Sequence, residues 1–252
     1  MSSFQSKVAL ITGGSSGIGR ATALAFAREG AKVIVASRRE NESRETVRLV
    51  REAGSEGLFV KTDVSKEADV KEMVEKTIKA YGRLDFAFNN AGIEQLPTPL
   101  AEQTEETFNQ ITNINVKGVW LSMKYEIPQM LKNGGGAIVN TSSIAGLIGF
   151  PGIPLYVASK HAVLGLTRST ALEYAKSNIR VNAVCPGAVE TEMFERFVKD
   201  NEQVRDQVMA MHPIGRSGRP EEIAHAVVWL CSDRASFITG QSLALDGGFT
   251  AQ

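Results

Sequence analysis

Short apolar runs recur along this chain, and after almost every one comes a segment whose apolar residues return at every third or fourth position. The runs at 8–11, 32–36, 58–61, 85–88, 136–139, 179–184 and 242–245 are largely continuous in hydrophobicity. Strands of that kind are buried on both faces, which is the condition inside a parallel sheet. The segments between them read as helices. One covers 41–53 with Val47, Val50 and Ala53 inward; the next carries Val70, Met73, Val74, Thr77, Ile78 and Tyr81 on one side, with Ser65 as its cap. Regular alternation of strand and helix implies right-handed crossovers and helices on both faces of the sheet. The chain is therefore predicted to be α/β, a doubly wound parallel sheet of about seven strands, with 1–252 forming a single domain.

The first run leads into Thr12-Gly13-Gly14-Ser15-Ser16-Gly17-Ile18-Gly19, and Ala21, Leu24, Ala25 and Ala27 then keep helical spacing up to Gly30. Strand, glycine loop and helix in this order set Gly13, Ser15, Ser16, Gly17, Ile18 and Gly19 against a ligand. Glycine lets the backbone approach closely, and the first helical amides attract an anion such as a pyrophosphate. The spacing is T-G-x-x-x-G-x-G, not G-x-G-x-x-G, and alone it is equally compatible with a structural turn. The second run ends in Ser37 and Arg38. In Rossmann-type domains an acid near this place takes a ribose 2′-hydroxyl, whereas an arginine accommodates a 2′-phosphate. Ser37 followed by Arg38 points to NADP(H), with NAD(H) as the alternative; the bland reading is two solvated arginines, Arg38 and Arg39.

Between Lys132 and Lys160 there is no Asp, Glu, Lys or Arg, and Lys160 arrives four residues after Tyr156. Residues four apart share a helix face, so the ammonium can lie near the phenol. A cation there favours the phenolate and lowers a pKa that starts at about 10, giving an acid and base usable near neutral pH. Ser142 and Ser143 follow the fifth run, where open α/β sheets bind ligands. The uncharged stretch is no membrane span, because Gly146, Gly149, Pro151, Gly152 and Pro154 break it. A Tyr-x-x-x-Lys pair alone is as readily structural; the rest of the chain gives it weight.

Composition excludes several classes. Lys plus Arg and Asp plus Glu each number 28, so no net charge advertises nucleic acid or an anionic membrane. Cys185 and Cys231 form no C-x-x-C and no cysteine–histidine cluster, so a metal site or disulfide framework is not expected and a reducing compartment is. Without a readable signal peptide or anchor, the expected location is cytoplasmic.

A long helix is expected from Thr104 to Pro128, with Phe108, Ile111, Asn115, Gly118, Val119 and Ser122 along one side. An asparagine in an apolar stripe needs a hydrogen-bond partner, so Asn115 is either a satisfied core amide or part of a site. Cys185 reads as a small buried hydrophobe. The polar stretch 200–217 reads as a mobile lid over a pocket. The pocket walls, 92–97, 146–155 and 188–211, are largely apolar with Glu94 and Gln95 at one side.

With these residues together, the chain resembles the classical short-chain dehydrogenases/reductases over essentially its whole length. The matching motifs are Thr12 to Gly19, Asp63, Asn89-Asn90-Ala91-Gly92, Asn115, Ser143, Tyr156-x-x-x-Lys160 and Pro186-Gly187. The resemblance implies that Tyr156 is the general acid or base and that Lys160 binds the nicotinamide ribose and depresses the Tyr156 pKa. It implies that Ser143, thirteen residues before the tyrosine, holds the substrate oxygen, and that Asn115 keeps a water in a proton relay. Asp63 with Val64 would hold the adenine, while Asn90, Ala91, Gly92, Pro186 and Gly187 line the cofactor groove and Val189 with Thr191 fixes the carboxamide. It further implies a homotetramer. The expected activity is hydride transfer between NADP(H) and a carbonyl or secondary alcohol, such as a ketone or 3-oxoacyl group. The alternatives are an NAD-dependent sugar or polyol dehydrogenase and a non-catalytic dinucleotide-binding regulator on the same fold.

Overall fold

A computed structural model describes residues 4–198 and 201–252. Alternate residues of the strands go to opposite faces of the sheet, and the core divides accordingly. In β1 (Val8–Thr12) and β2 (Lys32–Ser37), Ala9, Ile11, Val33 and Val35 pack on one side; Val8, Leu10, Ile34 and Ala36 pack on the other. The first side is covered by α1 (Gly17–Arg28), α2 (Glu40–Glu52) and α9 (Pro220–Cys231) through Phe26, Val50 and Val227. The second is covered by α3 (Glu67–Tyr81), α5 (Gly118–Lys132) and α6 (Pro154–Tyr174) through Met73, Ile127 and Val163.

The remaining strands are β3 (Gly57–Lys61), β4 (Phe86–Asn89), β5 (Gly136–Thr141), β6 (Ile179–Pro186) and β7 (Ser242–Leu245). Among the described residues they form one sheet in the order β3-β2-β1-β4-β5-β6-β7, every pair parallel. The winding reverses between β1 and β4, and open α/β sheets bind ligands at the carboxyl ends of the strands flanking such a point. No helix among the described residues is long and apolar enough to cross a membrane.

Four expectations need correcting. Ser65 does not cap α3: Lys66 holds that place, and the Ser65 hydroxyl donates to Asp63 Oδ1 at 2.7 Å. The helix expected to end at Pro128 comes in three parts: α4 (Glu105–Ile111), a π turn at Thr112–Lys117, and α5, which runs through Pro128 to Lys132. Proline inside a helix costs about 3 kcal/mol; here Ile127 and Met130 on either side of it are buried in the core and offset that cost. Phe108 is not on the inner side but 50% exposed. Lastly, the expected lid is partly regular. After β6 come α7 (Glu192–Val198) and α8 (Glu202–Ala210), the latter capped by Asn201, whose Oδ1 accepts the N–H of Val204 at 3.2 Å. Lys199 and Asp200, where the lid was expected to begin, lie outside the described residues.

Candidate active site

In the sheet register Thr12 stands beside Asn89, and Asn89 beside Asn140. The loops that follow therefore leave the sheet level with one another. Thr12 Oγ1 accepts the N–H groups of Asn90 and Ala91 at 3.0 and 3.2 Å. Asn90 Nδ2 donates to the Thr12 and Gly13 carbonyls at 3.3 Å each, and its Oδ1 accepts from Thr141 Oγ1 at 3.3 Å. The glycine loop is thus bolted to β4 and β5. Gly13 and Gly17 have φ of +65° and +49°, and a Cβ on Gly13 would lie 2.9 Å from Ala91 Cα, so both backbone angle and space require glycine there. Gly19 packs on the Gly13 carbonyl, and Ile18 fills the core side. At the start of α1, Ser16 makes no side-chain cap, so the first amides of the helix have no side-chain partner.

At the end of β2 the two arginines part. Arg39 crosses to the glycine loop, donating to Ser15 Oγ from Nε at 3.2 Å and to Ser16, and pairs with Glu192 of α7 at 2.7 Å. Arg38 has no hydrogen bond or ion pair among the described residues and stays exposed in the mouth of the cleft. The Ser37 hydroxyl is already used, 2.7 Å from Ser43 Oγ and accepting the Arg39 N–H at 3.1 Å. Burial pushes the Asp63 carboxyl up, but hydrogen bonds from Ser65 and the charges of Arg38 and Lys66 outweigh it and hold Asp63 below the usual carboxylate range. Val64 packs against Gly118, where a Cβ would come within 2.8 Å of its Cγ2.

These residues fit a dinucleotide. The test is Gly92: a Cβ there would stand 3.3 Å from Asn115 Oδ1 and 3.6 Å from Lys160 Nζ, filling the space on which both polar groups converge. On the far side, Gly187 donates its N–H to Leu245 at 3.1 Å beside Pro186; Val189 bridges to Gly218; and Thr191 Oγ1 accepts the N–H of Phe194 at 3.2 Å, starting α7.

Helix α6 brings the remaining candidates together. The Tyr156 phenol faces Ser143 closely enough for the serine to lower its pKa, and Ser143 Oγ accepts the Ala145 N–H at 3.1 Å. Ser142 points elsewhere, donating to the Lys160 carbonyl at 2.9 Å. Lys160 Nζ donates to the Thr141 carbonyl at 3.0 Å and lies 5.4 Å from the centre of the Tyr156 ring. Asn115 is 1% exposed within the π turn. Its amide takes the Ile93 N–H at 2.9 Å, gives to the Ile93 carbonyl at 3.0 Å, and gives to Ser159 Oγ at 3.2 Å. Asn115 is therefore a satisfied buried amide, with its Oδ1 beside Gly92.

The expected depression of the Tyr156 pKa is not met. Burial pushes the phenol up to about 12, against the lowering effect of the Ser143 hydrogen bond, and the nearby Glu94 carboxylate adds to the rise. Lys160 faces the ring and the Thr141 carbonyl, and its own burial brings it down to about 8. Desolvation is the largest cause of the shift in both groups.

Of the site residues expected from the sequence, all except Gly19 and Asn115 line one cleft of about 630 Å³. Its substrate end is walled by Ile144, Phe150, Ile153, Phe194, Met211 and Phe249. Four contributors were not singled out as site residues from the sequence. Thr12 and Thr141 bolt the floor. Arg196 of α7 pairs with Glu94 at 2.8 Å across the wall. His212 accepts the Ala188 N–H on Nε2 at 3.1 Å, donates from Nδ1 to the Val208 carbonyl at 2.8 Å, and packs on Phe249, tying α8 to the loop after β6. No local pattern marks these four, since each partner lies on another element.

Comparison with known proteins agrees with this geometry. Residues 13–250 match the family model described as enoyl-(acyl carrier protein) reductase. The chain is 48% identical over 252 residues, all of both chains, to 2,5-dichloro-2,5-cyclohexadiene-1,4-diol dehydrogenase of Sphingobium indicum. It superposes on the crystal structure of levodione reductase with a TM-score of 0.95 and 39% identity, covering 98% of this chain and 99% of that one. The 3-ketoacyl-(acyl-carrier-protein) reductase of Brucella melitensis, solved with NADH, gives 0.92 and 36%, covering 98% and 100%.

Proposed function

The chain belongs to the short-chain dehydrogenase/reductase family, an oxidoreductase acting on CH–OH or C=O groups, and from that premise we propose that it moves a hydride between NADP(H) and a ring-bearing secondary alcohol or ketone. The observation that carries this reading is that the Ser143 and Tyr156 hydroxyl side chains meet in one cleft whose substrate end is apolar. A wall of this kind gives a sugar or polyol few partners but suits an alicyclic ring, the type of substrate named for the 48% identical dehydrogenase.

The nicotinamide cofactor, when bound, supplies or accepts the hydride. The residues of the chain do the rest. In reduction, Ser143 Oγ and Tyr156 Oη donate to the carbonyl oxygen as it gains negative charge, and these donors bind the transition state better than the ground state. The Tyr156 proton passes to that oxygen. The Lys160 ammonium compensates the phenolate left behind and offers its remaining N–H groups to the ribose and to a water held at Asn115. A phenol raised by burial stays protonated through neutral pH, so it is ready as an acid in reduction; alcohol oxidation needs the phenolate and quickens as pH rises.

Arg38 supports NADP(H): it makes no hydrogen bond or ion pair among the described residues, and Ser37 stands where an acid at the end of β2 would repel a 2′-phosphate. The NADH in the Brucella structure keeps NAD(H) as the second reading. Fully exposed Phe237 and part-exposed Trp229 suit the expected homotetramer. The test is a panel of cyclic and open-chain alcohols and ketones, each assayed with all four cofactor forms. Turnover fastest on rings with NADP(H) supports the proposal; a preference for NADH or for open polyols overturns it.

A further inference from the structure

Gln95, in the loop after β4, is 4% exposed in the wall of the cleft. Its Oε1 accepts the N–H of Tyr156 at 2.9 Å. Tyr156 stands in the first turn of α6, where backbone amides lack helical acceptors. Neither a side-chain cap from Ile153 nor an N–H from Pro154 helps to order that turn. A residue 61 positions away in sequence therefore fixes the backbone of the candidate acid. The same contact orients the carboxamide, because turning it over would set an NH₂ against an N–H. Nε2 is left buried, with no acceptor among the described residues. An unpaired buried donor costs stability, and such a group in a folded protein calls for an explanation. Gln95 lines the cleft beside its largely apolar substrate end, so an acceptor for Nε2 has to arrive with a ligand.

We propose that Gln95 is a specificity-determining residue: its Nε2 donates to a second oxygen of the substrate, distinct from the oxygen that reacts at Tyr156, while its Oε1 holds the first turn of α6. The Glu94 carboxylate in the same wall is matched by the Arg196 guanidinium, so no net charge there selects an ion, and the neutral amide donor suits a hydroxyl or carbonyl oxygen. The preferred substrates are then diols, hydroxyketones or diones. This inference rests on the reading of the cleft as a carbonyl and alcohol site.

The test compares kcat/KM for doubly and singly oxygenated partners, using cyclohexane-1,4-diol against cyclohexanol and hexane-2,5-diol against 2-hexanol. The wild-type ratio, corrected for the number of reactive hydroxyls, should favour the second oxygen by about 3- to 10-fold, the value of one neutral hydrogen bond. Gln95→Glu keeps an acceptor for the Tyr156 N–H and removes the donor, so its ratio should fall to one or below. Gln95→Met removes both and should lose the ratio as well, which serves if the Glu variant does not fold. A corrected ratio near one in the wild type, or an equal ratio in wild type and variants, overturns the inference. Failure of the ring-substrate reading shows separately, as activity confined to the open-chain pair.

Discussion

The floor of the cleft and its wall are built differently. The floor consists of strand ends and the glycine loop, joined by short side-chain to backbone bonds among Thr12, Asn90 and Thr141. The wall consists of the loop after β4 together with α7 and α8; besides the His212 and Gln95 hydrogen bonds, it is joined across its exposed side by the ion pairs Glu94–Arg196 and Glu195–Arg205. Bonds of the first kind are shielded and hold one geometry; exposed ion pairs contribute about 0–1 kcal/mol. The contrast teaches that cofactor geometry is set before any ligand arrives, while substrate choice is left to segments that can adjust.

The sharpest way to separate the halves is at their meeting point. Tyr156→Phe removes the phenol hydroxyl and leaves the bonds among Thr12, Asn90 and Thr141 in place. It should lower kcat by about 10²- to 10⁴-fold and leave dinucleotide affinity, followed by fluorescence titration, close to wild type. A variant keeping more than about a tenth of turnover with chemistry rate-limiting would remove Tyr156 from its role.

Arg38→Ala probes the rim of the floor. A charge-assisted hydrogen bond contributes about 1.5–3 kcal/mol, or roughly 10- to 150-fold in affinity. The KM for NADPH should rise toward the lower end of that range, since Arg38 is exposed, while the KM for NADH barely moves. Equal loss with both cofactors would show that Arg38 does not read the phosphate.

Beneath the floor, the same comparison predicts a pH effect on stability. Asn89 Nδ2 donates to Glu126 and to Asn140 Oδ1 at 3.1 Å each, and Asn140 donates to Thr167 at 3.0 Å. Asn89 Oδ1 and Glu126 Oε1 have no donor among the described residues. Burial raises the Glu126 carboxyl from 4.5 to about 8, against the hydrogen bond from Asn89. Between those values the folded chain holds a proton that the unfolded chain has released, so stability is present below the unfolded pKa and falls as pH rises toward 8. Glu126→Gln, neutral at every pH, should flatten the dependence of Tm on pH and raise Tm at the alkaline end by something on the order of 5 °C. Parallel melting curves for both proteins across that window would mean that Glu126 is ionised in the fold.

The smallest effect belongs to the wall. Arg196→Ala breaks an exposed pair and should change kcat/KM by less than about 5-fold, with Tm nearly constant. A loss comparable to that of Tyr156→Phe would show that the wall is as rigid as the floor and end the contrast.

The sequence alone determined the parallel sheet, because strands buried on both faces must be continuously apolar, and β1 by itself reads that way without its neighbours. It likewise determined the spacing of the glycine loop and of Tyr156 to Lys160, since both depend only on local backbone geometry. Tertiary structure decided what depends on partners distant in the chain. Pro128 stays inside α5 because Ile127 and Met130 are buried beside it. Asn115 occupies a π turn because Ile93 and Ser159 satisfy its amide. Arg39, and not Arg38, closes on the glycine loop because Ser15 and Glu192 meet it there. The direction of the Tyr156 shift was the least legible: spacing places a cation near the phenol, but only folding shows how much water both groups lose, and here desolvation is the largest cause acting on each.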